Sequence, residues 1–182
     1  MPTPGNASIP APAASSSAPL SPPVDYAGRV TGGKIALAIS VQGGKAVGYL
    51  CDGKTVEAWM YGTAGADGTL ELAGKNGAAL NGKRANGHAV GTVVAAGRTW
   101  AFDLAKTDKP GAIYRATGTT AGKQLRAGWV ILPDGTQTGL VSLGNTHSPA
   151  PQLDTATGQV EIGGFRLNAT PPSPATSHPA DF

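Results

Sequence analysis

Turn-forming dipeptides punctuate this chain at short intervals: Gly43-Gly44, Asp52-Gly53, Asp67-Gly68, Asn76-Gly77, Asn81-Gly82, Asn86-Gly87, Ala96-Gly97 and Asp134-Gly135. Their residues tolerate the positive φ of two-residue hairpin turns, and short apolar runs lie between most of them. Lys34–Val41 alternates with period two, so Ile35, Leu37, Ile39 and Val41 share one face, which must be inside. Further strands are predicted at Tyr26–Val30, Lys45–Cys51, Thr55–Tyr61, Thr69–Ala73, Ala78–Lys83, His88–Ala95, Thr99–Ala105, Ala112–Thr117, Leu125–Leu132, Gln137–Leu143 and Gln159–Leu167. No segment carries a helical period, and 27 glycines penalise helix almost anywhere. The fold class is therefore all-β: a small antiparallel meander that closes into a β-barrel, since closure removes the exposed edges of an open sheet.

Two-residue turns also fix which residues face each other. A Gly43-Gly44 loop pairs Val41 with Ala46, Ile39 with Gly48 and Leu37 with Leu50. An Asp52-Gly53 loop pairs Cys51 with Lys54, Tyr49 with Val56, Gly48 with Glu57 and Ala46 with Trp59. Opposed residues share a face, so Glu57, Trp59 and Tyr61 are expected inside, with Val47, Tyr49, Val56, Ala58 and Met60 forming an apolar outer row. An Ala96-Gly97 loop sets Gly91 against Phe102 and Val93 against Trp100, each glycine leaving room for a large residue opposite.

Of the 182 residues, 1–24 consist mainly of Pro, Ala and Ser with no charge before Asp25, and read as a disordered linker. Residues 25–169 read as one barrel-like domain, and the Pro-rich 170–182 as a disordered tail. The first 24 residues lack the basic start and the apolar stretch of roughly 7–15 residues of a secretory signal. Pro/Ala/Ser spacers nevertheless typically join an anchor or signal to an exported domain, which points to an extracytoplasmic location. Transmembrane strands need about 9–11 residues, a lipid face and aromatic belts, so a transmembrane barrel is not expected.

The net charge of +3 is spread thinly, with 14% charged and 5% aromatic residues, and this argues against a nucleic-acid surface. Cys51 is the only cysteine, which excludes an intrachain disulfide and a thiolate zinc site, and it reads as a surface thiol beside a turn. His88, His147 and His178 lack metal-ligand spacing, so no metal or cofactor is expected. Cys51 with His88, or a serine with His147, can be written as nucleophile and base, but neither lies in a motif, and the chain reads as non-catalytic. Asp52, Asp67 and Asp134 sit in turns, where a carboxylate caps local backbone. Glu57 differs in being placed on an apolar face. It is expected either paired with an arginine, Arg115 or Arg126 above all, or holding a ligand's polar group beside Trp59 and Tyr61.

The runs Val47–Lys54, Val56–Trp59, Tyr114–Ala116 and Gly128–Gly135 resemble a β-domain of exported or membrane-anchored proteins of high-GC Gram-positive (actinobacterial) bacteria, over about Tyr26 to Leu143. Those proteins mostly lack an assigned activity, so the resemblance implies an extracytoplasmic location and brings no catalytic residues. The expectation is a non-catalytic binding or sensor module tethered at the cell envelope, whose partner is an envelope protein or a small apolar or amphipathic ligand. A hydrolase of an envelope substrate and a structural protein–protein interaction domain are the alternatives.

Overall fold

A computed structural model of the chain describes residues 21–109 and 111–181; residues 1–20 of the linker expected over 1–24 lie outside the described residues, as does Phe182, whereas Val24 opens the first strand. Eight strands, β1 (Val24–Arg29), β2 (Ala36–Gln42), β3 (Lys45–Cys51), β4 (Glu57–Ala64), β5 (Thr69–Gly74), β6 (Ala79–Ala85), β7 (His88–Ala95) and β8 (Arg98–Lys106), form a closed antiparallel barrel in sequence order. The barrel closes where Tyr26 and Ala27 of β1 meet Lys106 and Ala105 of β8. The chain then leaves it. Strands β9 (Ile113–Thr120), β10 (Lys123–Ile131), β11 (Gln137–Leu143) and β12 (Thr146–Pro149) make a separate sheet laid against the barrel wall, and β13 (Gln159–Ile162) and β14 (Phe165–Asn168) form a hairpin beyond it. The all-β barrel is as expected; the layers outside it are not.

Hairpin turns follow the dipeptides closely. Gly43-Gly44, Asn86-Gly87 and Ala96-Gly97, together with Ala121-Gly122 and Gly163-Gly164, which the sequence reading had not marked, all have positive φ at both positions, the mirror-image turn whose twist suits a hairpin. Gly163-Gly164 splits the strand expected over Gln159–Leu167 into β13 and β14. Asn81-Gly82 is not a turn: both residues lie within β6, and a Cβ on Gly82 would stand 3.1 Å from the Phe102 ring. The glycine leaves the space that the aromatic fills.

Registers across Gly43-Gly44 and Ala96-Gly97 match the sequence reading: Ile39 faces Gly48, and Gly91 faces Phe102. The barrel interior is filled by Ile35, Leu37, Ile39, Val41, Leu50, Met60, Leu70, Leu72, Leu80, Phe102 and Leu104. Burial of this many aliphatic groups is the main stabilising term of such a domain.

Between β3 and β4 the reading fails. Cys51 faces Glu57, Tyr49 faces Trp59 and Gly48 faces Met60, so the connection is five residues long, not two. Asp52 explains the length, because its Oδ1 accepts the N–H groups of Lys54, Thr55 and Val56 at 2.8, 2.9 and 2.9 Å, and its own N–H donates to Val56 O. Burial alone would raise its pKa, but those backbone donors outweigh it and hold the carboxyl below its ordinary range. The register moves by three residues, an odd number, which turns every side chain of β4 to the other face. Ala58 and Met60 point inward, and Glu57, Trp59 and Tyr61 point outward.

The barrel's outer face over β1–β3 is also apolar, and the second sheet covers it. Ala27, Ala36, Ala38, Val47, Tyr49 and Cys51 pack against Ala112, Ile113, Val130, Leu132 and Leu140. On the sheet's far side Ala127, Trp129 and Val141 are capped by Leu153, Val160 and Ala169, and Trp129 Nε1 donates to Pro151 O at 2.8 Å. Asp25 holds the passage from barrel to sheet: its Oδ2 accepts the N–H groups of Gly111 and Ala112 at 2.7 and 3.0 Å.

Residues 170–181, read as a tail, lie on this body. Thr170 pairs with Arg115, the Ser173 hydroxyl donates to Gln42 Oε1, and Pro174 is buried.

Candidate functional site

Opposed residues of the second sheet define what it shows to the barrel. Across β9, β10 and β11, Ile113, Val130 and Thr138 are in register, then Arg115, Gly128 and Leu140, then Thr117, Arg126 and Ser142, the last also facing His147 of β12. Rows two residues apart on one strand share a face, so this barrel-facing surface runs from apolar to polar along the strands. At its apolar end the sheet packs tightly on the barrel. At its polar end the two surfaces part, leaving a cleft of about 1030 Å³.

One wall is the outer face of β4, with Glu57, Trp59 and Tyr61, continued by Ala73, Lys75 and Asn76. Arg115, Gln124, Arg126, Ser142 and His147 form the opposite wall, and Pro179 and Ala180 close one side. All five residues singled out in the sequence, Glu57, Trp59, Tyr61, Arg115 and Arg126, therefore line one space. That space lies outside the barrel, not within it.

Gly128 lets the walls meet at the back. A Cβ there would lie 2.6 Å from Trp59 Cζ2 and 2.7 Å from Tyr49 Cζ, closer than real atoms approach. Tyr49 is fully buried behind Trp59, their rings stacked with centroids 4.1 Å apart. Glu57 Oε1 accepts from the Tyr49 hydroxyl and from Trp59 Nε1, each at 3.1 Å, and Oε2 accepts from the Ser142 hydroxyl at 3.3 Å. These donors, not Arg115 or Arg126, are its hydrogen-bond partners among the described residues. The carboxylate is half-buried and bridges barrel to sheet, so its desolvation is offset by three bonds. Burial above all, then the neighbouring Cys51 and Glu57, push the Tyr49 phenol well above its ordinary range, which keeps it a neutral donor.

The sequence allowed a serine beside His147 without saying which, and the structure supplies it: Ser142 Oγ lies 2.9 Å from His147 Nδ1. They are cross-strand partners over the Gly144-Asn145 turn, and β12 itself was missed because His147 sits in a Pro-flanked segment. Glu57 touches the serine and not the histidine, so it competes for the hydroxyl hydrogen where a catalytic triad would have it orient the base. His88 stands apart on the barrel's exterior, 2.6 Å from Asp103, both exposed.

Cys51 is not the surface thiol expected. It is fully buried between barrel and sheet, and burial raises its pKa from 9.0 to about 11 against the opposing effect of the Tyr49 hydroxyl and the Gly53 N–H. A thiol so placed should resist a disulfide reagent in the native protein at mildly alkaline pH and react fully once urea unfolds the chain; immediate native labelling would place it elsewhere. Because the folded value is raised, the stability linked to this thiol is complete below 9.0 and is lost as pH climbs through about 11.

The fold and cleft define a class by construction: a closed antiparallel barrel, packed inside, whose wall is overlain by a second sheet with a polar gap between them. No family model, curated protein or solved structure matches the chain. Among the described residues there is no group of three or more His, Cys, Asp or Glu side chains able to hold a metal ion, and no helix long and apolar enough to cross a membrane.

Proposed function

We propose that this chain is a binding module and that the cleft between β4 and the second sheet is its site, taking a small amphipathic ligand. The supporting observation is the convergence of two aromatic rings, Trp59 and Tyr61, with charged and amide side chains of the sheet around one concave space of ligand size. An extracytoplasmic position at the cell envelope, and so a sensor or capture role there, is proposed from the Pro/Ala/Ser composition of residues 1–24 and from the resemblance to exported actinobacterial β-domains. A barrel working outside the bilayer accords with strands of six to nine residues and an interior of aliphatic side chains. Ligand entry should be read from indole fluorescence on titrating naphthalene-based amphiphiles. Quenching is expected in the native protein and in a Trp100→Phe variant, and its loss in Trp59→Leu; quenching that survives Trp59→Leu would move the site elsewhere.

A hydrolase is the second reading, favoured by the 2.9 Å contact between Ser142 Oγ and His147 Nδ1 in the cleft. Turnover of a small activated ester that disappears in Ser142→Ala would support it, and turnover unchanged in that variant would remove it.

A further inference from the structure

The lining of the cleft is unbalanced in charge. Leaving Arg115 aside, Lys75 and Arg126 contribute two cations, and Glu57 is the one carboxylate among the described residues that line it. Both oxygens of Glu57 are already engaged, by Tyr49, Trp59 and Ser142. Arg126 is exposed on the barrel-facing surface of β10; among the described residues its guanidinium makes one side-chain hydrogen bond, to Gln124 Oε1 at 3.2 Å, out of five N–H groups. Opposite stands an aromatic floor, Trp59 braced by the buried Tyr49 and flanked by Tyr61.

We infer that the cleft selects an oxyanion, carboxylate or phosphate, carried on a flat ring, with the ring against Trp59 and Tyr61 and the anion toward Arg126. This rests on the cleft being the binding site. The fork of a guanidinium matches either oxyanion in a two-point hydrogen bond, which a lysine on a solvated surface would not provide. A cation over the indole face is the rival arrangement, and it is disfavoured because Lys75 and Arg126 would repel it. Bond formation here involves no chemical step, only charge-assisted hydrogen bonds and stacking.

Four probes sharing one ring separate the alternatives: 2-naphthoate, 2-naphthyl phosphate, 2-naphthol and a naphthyl trimethylammonium, each titrated by calorimetry against the full chain. Both anions should bind about tenfold or more tightly than the alcohol and the cation, with affinity falling as salt rises. Arg126→Gln should weaken the anions by about tenfold and leave naphthol unchanged. Its melting temperature should stay near that of the parent, since the side chain is exposed. The tighter of the two anions identifies the source chemistry as carboxylate or phosphate. Naphthol binding as tightly as naphthoate, with both lost in Trp59→Leu, would overturn the anion selection and leave the binding site standing. Anion binding unaffected by both Arg126→Gln and Trp59→Leu would overturn the two together.

Discussion

Gly128→Leu should lower stability by about 3 kcal/mol, a fall of about 6–12 °C in melting temperature for a chain of this size. The position has no slack. Even one added carbon would meet Trp59 Cζ2 at 2.6 Å and Tyr49 at 2.7 Å, so the sheet must lift from the barrel or the stacked rings must separate. Thermal unfolding followed by near-ultraviolet circular dichroism, which reports on these aromatics, is the appropriate measurement. A double-mutant cycle with Trp59→Leu should recover part of the loss, because it removes the nearer of the two colliding rings. An unchanged melting curve would mean that β10 does not press on β4 in the way described.

Tyr49→Ala is expected to cost about 3–5 kcal/mol, in the range of large aromatic truncations in a core. The ring is fully buried, stacks on Trp59, and fills the seam between barrel and sheet. Tyr49→Phe separates the packing from the hydrogen bond: it keeps the stack, removes a donor to Glu57, and should cost about 1 kcal/mol. Urea midpoints at neutral pH provide the comparison. Near-equal losses for the two variants would assign the stabilisation to the hydroxyl and contradict the packing argument.

Where a turn is complete in two residues, as at Gly43-Gly44 and Ala96-Gly97, the sequence contains enough to place each side chain, and the observed pairs agree. Asp52-Gly53 looks equivalent and is not. The aspartate can end the strand by capping three successive amides, and nothing in the dipeptide distinguishes that use from a tight turn. Glu57, Trp59 and Tyr61 nevertheless stay together under either register, because alternate residues of one strand share a face. Their clustering was therefore legible while their side of the wall was not. The second sheet was illegible for a different reason: β9–β11 read as strands just as the barrel strands do, and the closure of β1 on β8 leaves no local mark. A signal did exist in β2 and β3, where Ala36–Val41 and Ala46–Cys51 contain no charged residue and are buried without interruption. Unbroken burial belongs to strands covered on both faces, and it announces a layer outside the barrel.

Because the barrel is built from one unbroken stretch, Val24 to Lys106, it can close while the ribosome is still adding the residues of the second sheet. For that interval the nascent chain carries an oily seam of Ala27, Ala38, Val47 and Tyr49 that its later residues have not yet hidden. The cleft itself needs β4, the strands beyond Ile113 and the residues near Pro179, so it is assembled only when nearly all the described chain has emerged. The proposed binding site is thus completed last, after the barrel that supplies one of its walls is already in place.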